Sequence, residues 1–234
     1  VWGELKRWEA QLGENLLLWE KGQAARLSPF GTRLLYAERQ AQARLAPQIE
    51  ALQAELERSF AMAFDPKSQV LSLHASHDAA LSRLRTHCAK KNLHLDITFT
   101  GSVDAIRALN EGRCMMAGFH TLQHPAPGSL AERMYKPLLR PGWHKIIGFA
   151  QRTQGLMVAR GNPLGLRALP DLATRRARFA NRALGSGTRV VFDELLAQAG
   201  LAASNIAGYA HTEPSHAAVA QAEPGQVPRL RVES

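Results

Sequence analysis

The sequence predicts an α/β protein of two lobes built on parallel sheets, preceded by a helix–hairpin unit and a long helix. Three observations lead there. From Val70 onward, apolar runs of strand length alternate with stretches of helical period, the pattern of parallel strands joined by right-handed crossovers. Before that point the apolar spacing is helical over residues 29–60 and opens on Ser28-Pro29, a helix start with Ser as N-cap and Pro in the first turn. The chain has 234 residues, 45% of them hydrophobic, enough for one large domain or two smaller ones.

Charge and cysteine content narrow the class. Residues 1–66 hold 8 basic and 9 acidic groups and residues 67–234 hold 21 and 11, so the net charge of +9 lies in the second part. A basic surface there suits an anionic ligand without indicating nucleic acid by itself; a merely solvated surface has the same composition. Cys88 and Cys114 stand far apart with no CxxC pair, which fits a reducing, cytoplasmic compartment and argues against a disulfide scaffold or a zinc site. No apolar run approaches the ~20 residues a bilayer span needs, so no membrane partner is expected. The first residues carry charges throughout, unlike a secretory leader. The chain does not begin with Met, so it reads as a fragment whose leader could have been lost.

In order along the chain, residues 1–11 place Val1, Leu5, Trp8 and Leu12 on one helical stripe, with Lys6 and Arg7 off it. Gly13 ends this helix as a C-cap would. Residues 15–20 and 24–27 read as strands around a turn at Lys21-Gly22-Gln23. Helix, hairpin, helix is the geometry of a wing after a recognition helix. Leu5-Lys6-Arg7-Trp8-Glu9-Ala10-Gln11-Leu12-Gly13, then Leu16–Glu20 and Arg26-Leu27-Ser28-Pro29-Phe30-Gly31, resemble the winged helix-turn-helix of LysR-type and molybdate-responsive transcription regulators. The resemblance implies a recognition helix over residues 1–11, a wing over 21–26, and DNA contacts from Lys6, Arg7, Lys21 and Arg26. The family carries further helices upstream, so residues 1–28 would be only part of a DNA-binding domain.

Leu34, Leu35, Leu45, Ile49, Leu52, Leu56 and Phe60 recur at three and four, and the later ones keep the spacing of a short coiled coil. Pro47 should kink or split this helix. In the regulators it resembles, the helix pairs two subunits, which implies a homodimer through residues 29–60; an amphipathic helix lying on its own domain would show the same stripe. Asp65-Pro66-Lys67-Ser68 reads as a linker. The expected organisation is therefore 1–28, a partial winged helix; 29–64, the dimerisation helix; and 69–234, a ligand-binding domain.

In that domain the strands are expected at 70–73, 93–100 and 114–117 with helices at 78–91 and 103–111, then strands at 143–150, 155–160 and 178–180, a short helix at 169–173 and a longer one at 190–198. Ligands collect beyond the carboxyl ends of parallel strands. Ser76 and His77, Gly101 and Ser102, and His120 fall at those ends. Arg182, Ser186, Gly187, Thr188 and Arg189 fall in the Gly-rich turn before the last helix, where N–H groups and a helix dipole favour an anion. A tight turn with Ser186 or Thr188 as N-cap accounts for the same residues. The turn is not a phosphate-binding Walker loop, since Arg stands where Lys is needed.

Leu73-His74-Ala75-Ser76-His77-Asp78, Phe99-Thr100-Gly101-Ser102, Ala117-Gly118-Phe119-His120, Gln154-Gly155-Leu156-Met157-Val158-Ala159, Gly161-Asn162-Pro163, and Asn181-Arg182 through Gly185-Ser186-Gly187-Thr188-Arg189 together resemble the periplasmic-binding-protein-like domain fused to winged helices in molybdate or tungstate regulators. The resemblance covers residues 70–220 and implies sensing of an oxyanion such as molybdate or tungstate, or of another small ligand. An oxyanion needs N–H and O–H donors and no facing carboxylate. Ser76, Ser102, Ser186 and Thr188 supply hydroxyls, Arg182 or Arg189 charge, and His77, His120 and His216 further donors; Asp104 belongs to a helix start instead. The family continues beyond a helix start at Glu213-Pro214-Ser215-His216, whereas residues 223–234 read as a loop, so the return to the first lobe is expected to be missing.

Two other chemistries compete. His74 and His77, or His120 and His124, have metal-like spacing but no acidic or Cys partner. Ser186, His216 and Asp193 are the residue types of a hydrolase triad, but the nucleophile-elbow spacing is absent. No enzyme, metal or cofactor is expected. The sequence points to a DNA-binding transcription regulator that senses a small anion; the alternative is a transporter's solute-binding protein with no DNA role.

Overall fold

The computed structural model describes residues 2–20, 23–65, 67–222 and the backbone of 229–232. Helix α1 (Trp2–Leu12) ends at Gly13, whose φ of +70° is the left-handed conformation that favours glycine. Its expected apolar stripe is not its buried face: Trp8 and Leu12 are half exposed, Val1 lies outside the described residues, and the buried residue is Glu9. The Glu9 carboxylate accepts from the N–H of Leu16 (2.7 Å) and Leu17 (3.1 Å) and from Lys6 Nζ (2.7 Å). The Lys6 ammonium and these N–H groups hold its pKa below the usual carboxylate value. The carboxylate thus pins β1 (Leu17–Leu18) to α1, and β1 pairs antiparallel with β2 (Arg26–Leu27). Both strands are shorter than expected.

Helix α2 (Pro29–Phe64) starts where the sequence said, with Ser28 Oγ accepting from Gly31 N at 2.8 Å. It is neither split nor ended by Pro47. Proline has no N–H for the carbonyl four residues back, which here is Ala43. That carbonyl instead accepts from Ser215 Oγ at 3.0 Å, so the buried acceptor is satisfied from another part of the chain.

The first parallel sheet has the order β4-β3-β5, made of β3 (Gln69–Ala75), β4 (Leu93–Phe99) and β5 (Met116–Ala117). Gln69 lies opposite Leu93 and Ala75 opposite Phe99. Helices α3 (Ala79–Ala89) and α4 (Ser102–Asn110) make the crossovers. Leu73, Ala75, Leu95 and Ile97 pack with Leu81 of α3 into one core. A second parallel pair, β7 (Asn181–Arg182) and β8 (Thr212–Glu213), lies in the other lobe with α7 (Gly187–Gln198). There Phe179 stacks on Phe192 within a core that includes Leu172, Leu196 and Ile206. Val103 and Ile106 of α4 meet Val190 of α7 and Tyr135 of α5 (Leu130–Tyr135), joining the two lobes.

Three expected elements differ. Residues 143–150 form no strand; Trp143, Ile146, Ile147 and Phe149 are exposed, and no described strand lies alongside to bond their backbone. The strand expected at 155–160 is β6 (Gln154–Met157), and its antiparallel partner is β9 (Arg229–Val232), inside the tail read as a loop. The strand expected at 178–180 is registered later, at β7, because Asn181 N bonds His211 O at 2.8 Å and Arg182 lies opposite Glu213. Pro170–Thr174 forms the short helix α6 and His216–Ala220 forms α8, capped by Ser215.

Helix α2 is held on the domain by charge. Glu213, 1% exposed, accepts from Arg44 Nε (2.9 Å) and Nη2 (2.7 Å). Glu50 accepts from Arg85 (3.5 Å) and Ser82 and sits 3.0 Å from His77 Nε2, and Arg58 pairs with Asp96. Removing one partner of a buried pair strands the other charge. Arg44→Ala should therefore lower stability by about 2 kcal/mol in urea unfolding, tempered by the partial exposure of Arg44. Arg39→Ala, an exposed arginine on the same helix, should change it by less than about 0.5 kcal/mol. Equal effects would contradict the clamp.

Candidate functional site

The two lobes meet where the start of α4 touches the Gly-rich turn before α7. A Cβ on Gly101 would lie 2.8 Å from Gly185 O, and Val103 N donates to that carbonyl at 3.3 Å. A Cβ on Gly187 would lie 2.7 Å from Ser102 Oγ and 2.9 Å from His120 Nδ1. Glycine at both positions is what lets these segments close up. Ser102, fully buried, accepts from His120 N at 3.3 Å. Tyr135 lies against it, and burial pushes its phenol up to about 12.

Arg182 is the unusual member. It is 3% exposed, its Nη1 donates to Glu213 O at 2.9 Å, and its Nε is buried without a partner. Among the described residues no carboxylate pairs with it, and burial alone pulls its guanidinium down to about 10. The Nδ1 atoms of His120 and His216 are likewise buried and unpartnered. Burial, then the nearby charge of Arg182, holds His216 down to about 4. His120 is lowered by burial and then by Arg152, with Asp78 opposing. Asp78 caps α3 through Ala80 N (2.7 Å) and pairs with Arg152. The result is a buried cluster with excess positive charge and three nitrogens without partners among the described residues, a chemistry that fits an anion.

A cleft of about 570 Å³ opens beside it, with Arg182 common to both. Of the residues singled out in the sequence, Ser76, His77, Gly101, Arg182 and Ser186 line this cleft. Ser102, His120 and Gly187 pack against one another behind it, and His216 joins them through its interaction with His120 and Arg182. Other polar groups are already occupied. Ser76 Oγ donates to Thr100 O (3.2 Å), and Ser186 Oγ caps α7 by accepting from Arg189 N (3.3 Å). Arg189 donates through Nε to Asp193 at 3.0 Å and through Nη1 to Arg182 O at 3.3 Å, and lies 4.0 Å over the Tyr209 ring. Its charge is thus neutralised within its own helix. Thr188 is buried in the first turn of α7. Asp104 stands in the first turn of α4 beside Arg107, at 3.2 Å.

The triad arrangement does not form, since Asp193 is taken by Arg189 and Tyr209 (2.7 Å). Among the described residues no three metal-ligating side chains come together. At the other end of the chain, Lys6 and Arg26 bond Glu9 and Glu20 (2.5 Å), Arg7 is exposed, and Lys21 lies outside the described residues. Sequence reasoning missed Arg152 and the contribution of α2, whose Arg44, Pro47, Gln48, Leu52 and Glu55 line the cleft. No local pattern marks Arg152. The breach in the α2 ladder at Pro47 was the available signal that an outside donor must approach Ala43.

Compared with known families, residues 84–222 match the PBP superfamily domain. The uncharacterized protein YvgK of Bacillus subtilis (strain 168) is 30% identical over 129 residues, 55% of this chain and 42% of that protein. The chain therefore spans less than half of that relative. Among solved structures, it is similar to the tungstate ABC transporter from Geobacter sulfurreducens, with a TM-score of 0.45, 17% identity, and 70% of this chain and 72% of that one covered. It is also similar to HinK, a LysR family transcriptional regulator from Pseudomonas aeruginosa, with a TM-score of 0.43, 16% identity, and coverage of 99% and 69%. No helix among the described residues is long and apolar enough to cross a membrane.

The hollow has a pH signature. His216 is neutral when folded, with a value near 4, but takes a proton near 6.5 when unfolded. Between those values the unfolded chain binds more protons, so stability falls as pH falls through that window. At about 1.4 kcal/mol per unit, His216 alone accounts for a loss on the order of 3 kcal/mol from pH ~6.5 to ~4. Urea midpoints should fall over this range in the ligand-free protein and fall less in His216→Asn; equal slopes would contradict the assignment.

Proposed function

The chain belongs to the PBP superfamily, and we propose on that premise that it senses a small oxyanion of the molybdate or tungstate kind as part of a cytoplasmic, DNA-binding transcription regulator. The observation that carries the ligand class is Arg182, buried with no paired carboxylate among the described residues and with Nε unpartnered, and near enough to His120 and His216, whose Nδ1 atoms are also unpartnered, for its charge to oppose their protonation. An uncompensated buried guanidinium is costly, and an anion removes that cost. Ser76, Gly101, Ser186 and His77 border the approach from the cleft. Ile97, Phe99 and Leu52 add apolar lining, which favours, as a second reading, an organic anion whose body fills the remaining volume.

The DNA-binding part of the proposal rests on the helix and hairpin over residues 1–28 and on the resemblance of their sequence to a winged helix. The helix over 29–64 is the proposed dimer seam, and residues 69–234 the ligand-binding domain. Leu45, Ile49, Leu52, Leu56 and Phe60 are all exposed along α2 at coiled-coil spacing, a face that a second copy would cover. Arg182 donates to the carbonyl of Glu213, and the side chain of Glu213 holds Arg44 of α2. An anion that draws Arg182 toward itself would thereby shift the clamp on the helix that joins ligand-binding and DNA-reading parts. A solute-binding protein with no DNA role would keep the anion site and have no use for this clamp.

Calorimetry on the full chain should detect binding of molybdate or tungstate. Arg182→Gln should weaken it by about a hundredfold, the effect of removing a charged hydrogen-bonding partner. Absence of binding to molybdate, tungstate, sulfate and phosphate by the unaltered protein would overturn the proposal.

A further inference from the structure

We propose that His120 and His216 set the charge state of ligand the hollow accepts: a fully deprotonated dianion enters together with one proton, which comes to rest on one of these two imidazoles. The inference rests on the oxyanion reading above and goes beyond it by assigning the two histidines a selectivity role.

The charges around the hollow lead to it. Among the described residues, three charged groups act on His216 and His120: Arg182 on β7, Arg152 before β6, and Asp78 at the cap of α3. Glu213 on β8, whose carbonyl holds Arg182, has its own carboxylate paired with Arg44 of α2. Arg152 is paired with Asp78. Arg182 alone is left without an opposite charge. It matches a single negative charge. A dianion would leave one negative charge buried and uncompensated, which a protein interior strongly disfavours.

Among the described groups of this cluster, the two imidazoles are the ones that can make up the difference. Each has a buried Nδ1 with no hydrogen-bond partner among the described residues, so each has an atom not already committed to another bond. Both are neutral in the empty site because burial and the neighbouring arginines oppose a second cation. A dianion in contact reverses that electrostatic sign and favours the imidazolium. The two histidines also oppose each other's protonation, so one proton is taken and not two. Tyr135 is no substitute, since its phenol keeps its proton to about 12 and is neutral when protonated. A monoanion needs no proton and binds without one.

The test is calorimetry on the full chain with micromolar molybdate and with perchlorate, a tetrahedral monoanion, in buffers of high and low ionisation heat. Molybdate should show a heat that changes with the buffer in the amount of about one proton taken up. Its affinity should rise by up to tenfold per unit as pH is lowered from ~8 to ~6. Perchlorate should show neither effect. The His120→Gln, His216→Asn double variant keeps polar groups that cannot titrate, and it should bind molybdate with a flat pH profile. If this variant fails to fold, the buffer dependence of the unaltered protein decides alone. Molybdate binding with buffer-independent heat and a flat pH profile would overturn the inference while leaving the oxyanion reading intact. Failure of every anion to bind would overturn that reading, and this inference with it.

Discussion

The long helix depends on a hydroxyl from far along the chain. Pro47 withholds the N–H that Ala43 O would accept, and Ser215 Oγ supplies the missing bond at 3.0 Å. Two residues earlier, Glu213 grips Arg44 on the same turn of helix. Residues 213–215 therefore hold α2 by one bond that relieves a backbone defect and by one ion pair whose carboxylate is buried. The same segment carries the carbonyl that holds Arg182, and it starts α8, which carries His216. The placing of the helix and the shape of the hollow are thus consequences of one short stretch.

This arrangement explains why so much buried charge is tolerated. Arg189, Asp193 and Tyr209 close on themselves, Arg152 and Asp78 pair, and Arg44 and Glu213 pair. Each satisfies the requirement that a buried charge have a partner. Arg182 has no opposite charge beside it among the described residues, and it lines the cleft together with Gly101. A buried cation left without a counter-charge is the mark of a place kept for something else.

Much of the fold was legible because its signals are local. Ser28-Pro29 gave the start of α2, apolar runs of strand length gave β3 and β4, and the polar strand ends gave Ser76, Ser102 and His120. What escaped depends on contacts between distant segments. Pro47 reads as a break until Ser215 is brought beside it. Residues 143–150 read as a strand from their apolar residues, but no described strand lies beside them, and the local sequence cannot show that. Arg182 and Arg189 look interchangeable in the Gly-rich turn. Only the folded helix sets Asp193 against Arg189 and leaves Arg182 without a carboxylate among the described residues, its charge felt by two histidines. The α2 side chains in the cleft were unreadable for the same reason, since a stripe at coiled-coil spacing does not say which of its flanks lies against its own domain.

The central claim is that the hollow among Arg182, His120 and His216 is an anion site. It is tested most directly by crystals of the full chain grown with tungstate, using anomalous scattering from tungsten to find the ion. The account predicts one strong peak within hydrogen-bonding reach of Arg182 Nε and the Nδ1 atoms of His120 and His216. Tungsten found only on surface lysines and arginines, with the hollow filled by water or by a protein carboxylate, would contradict it.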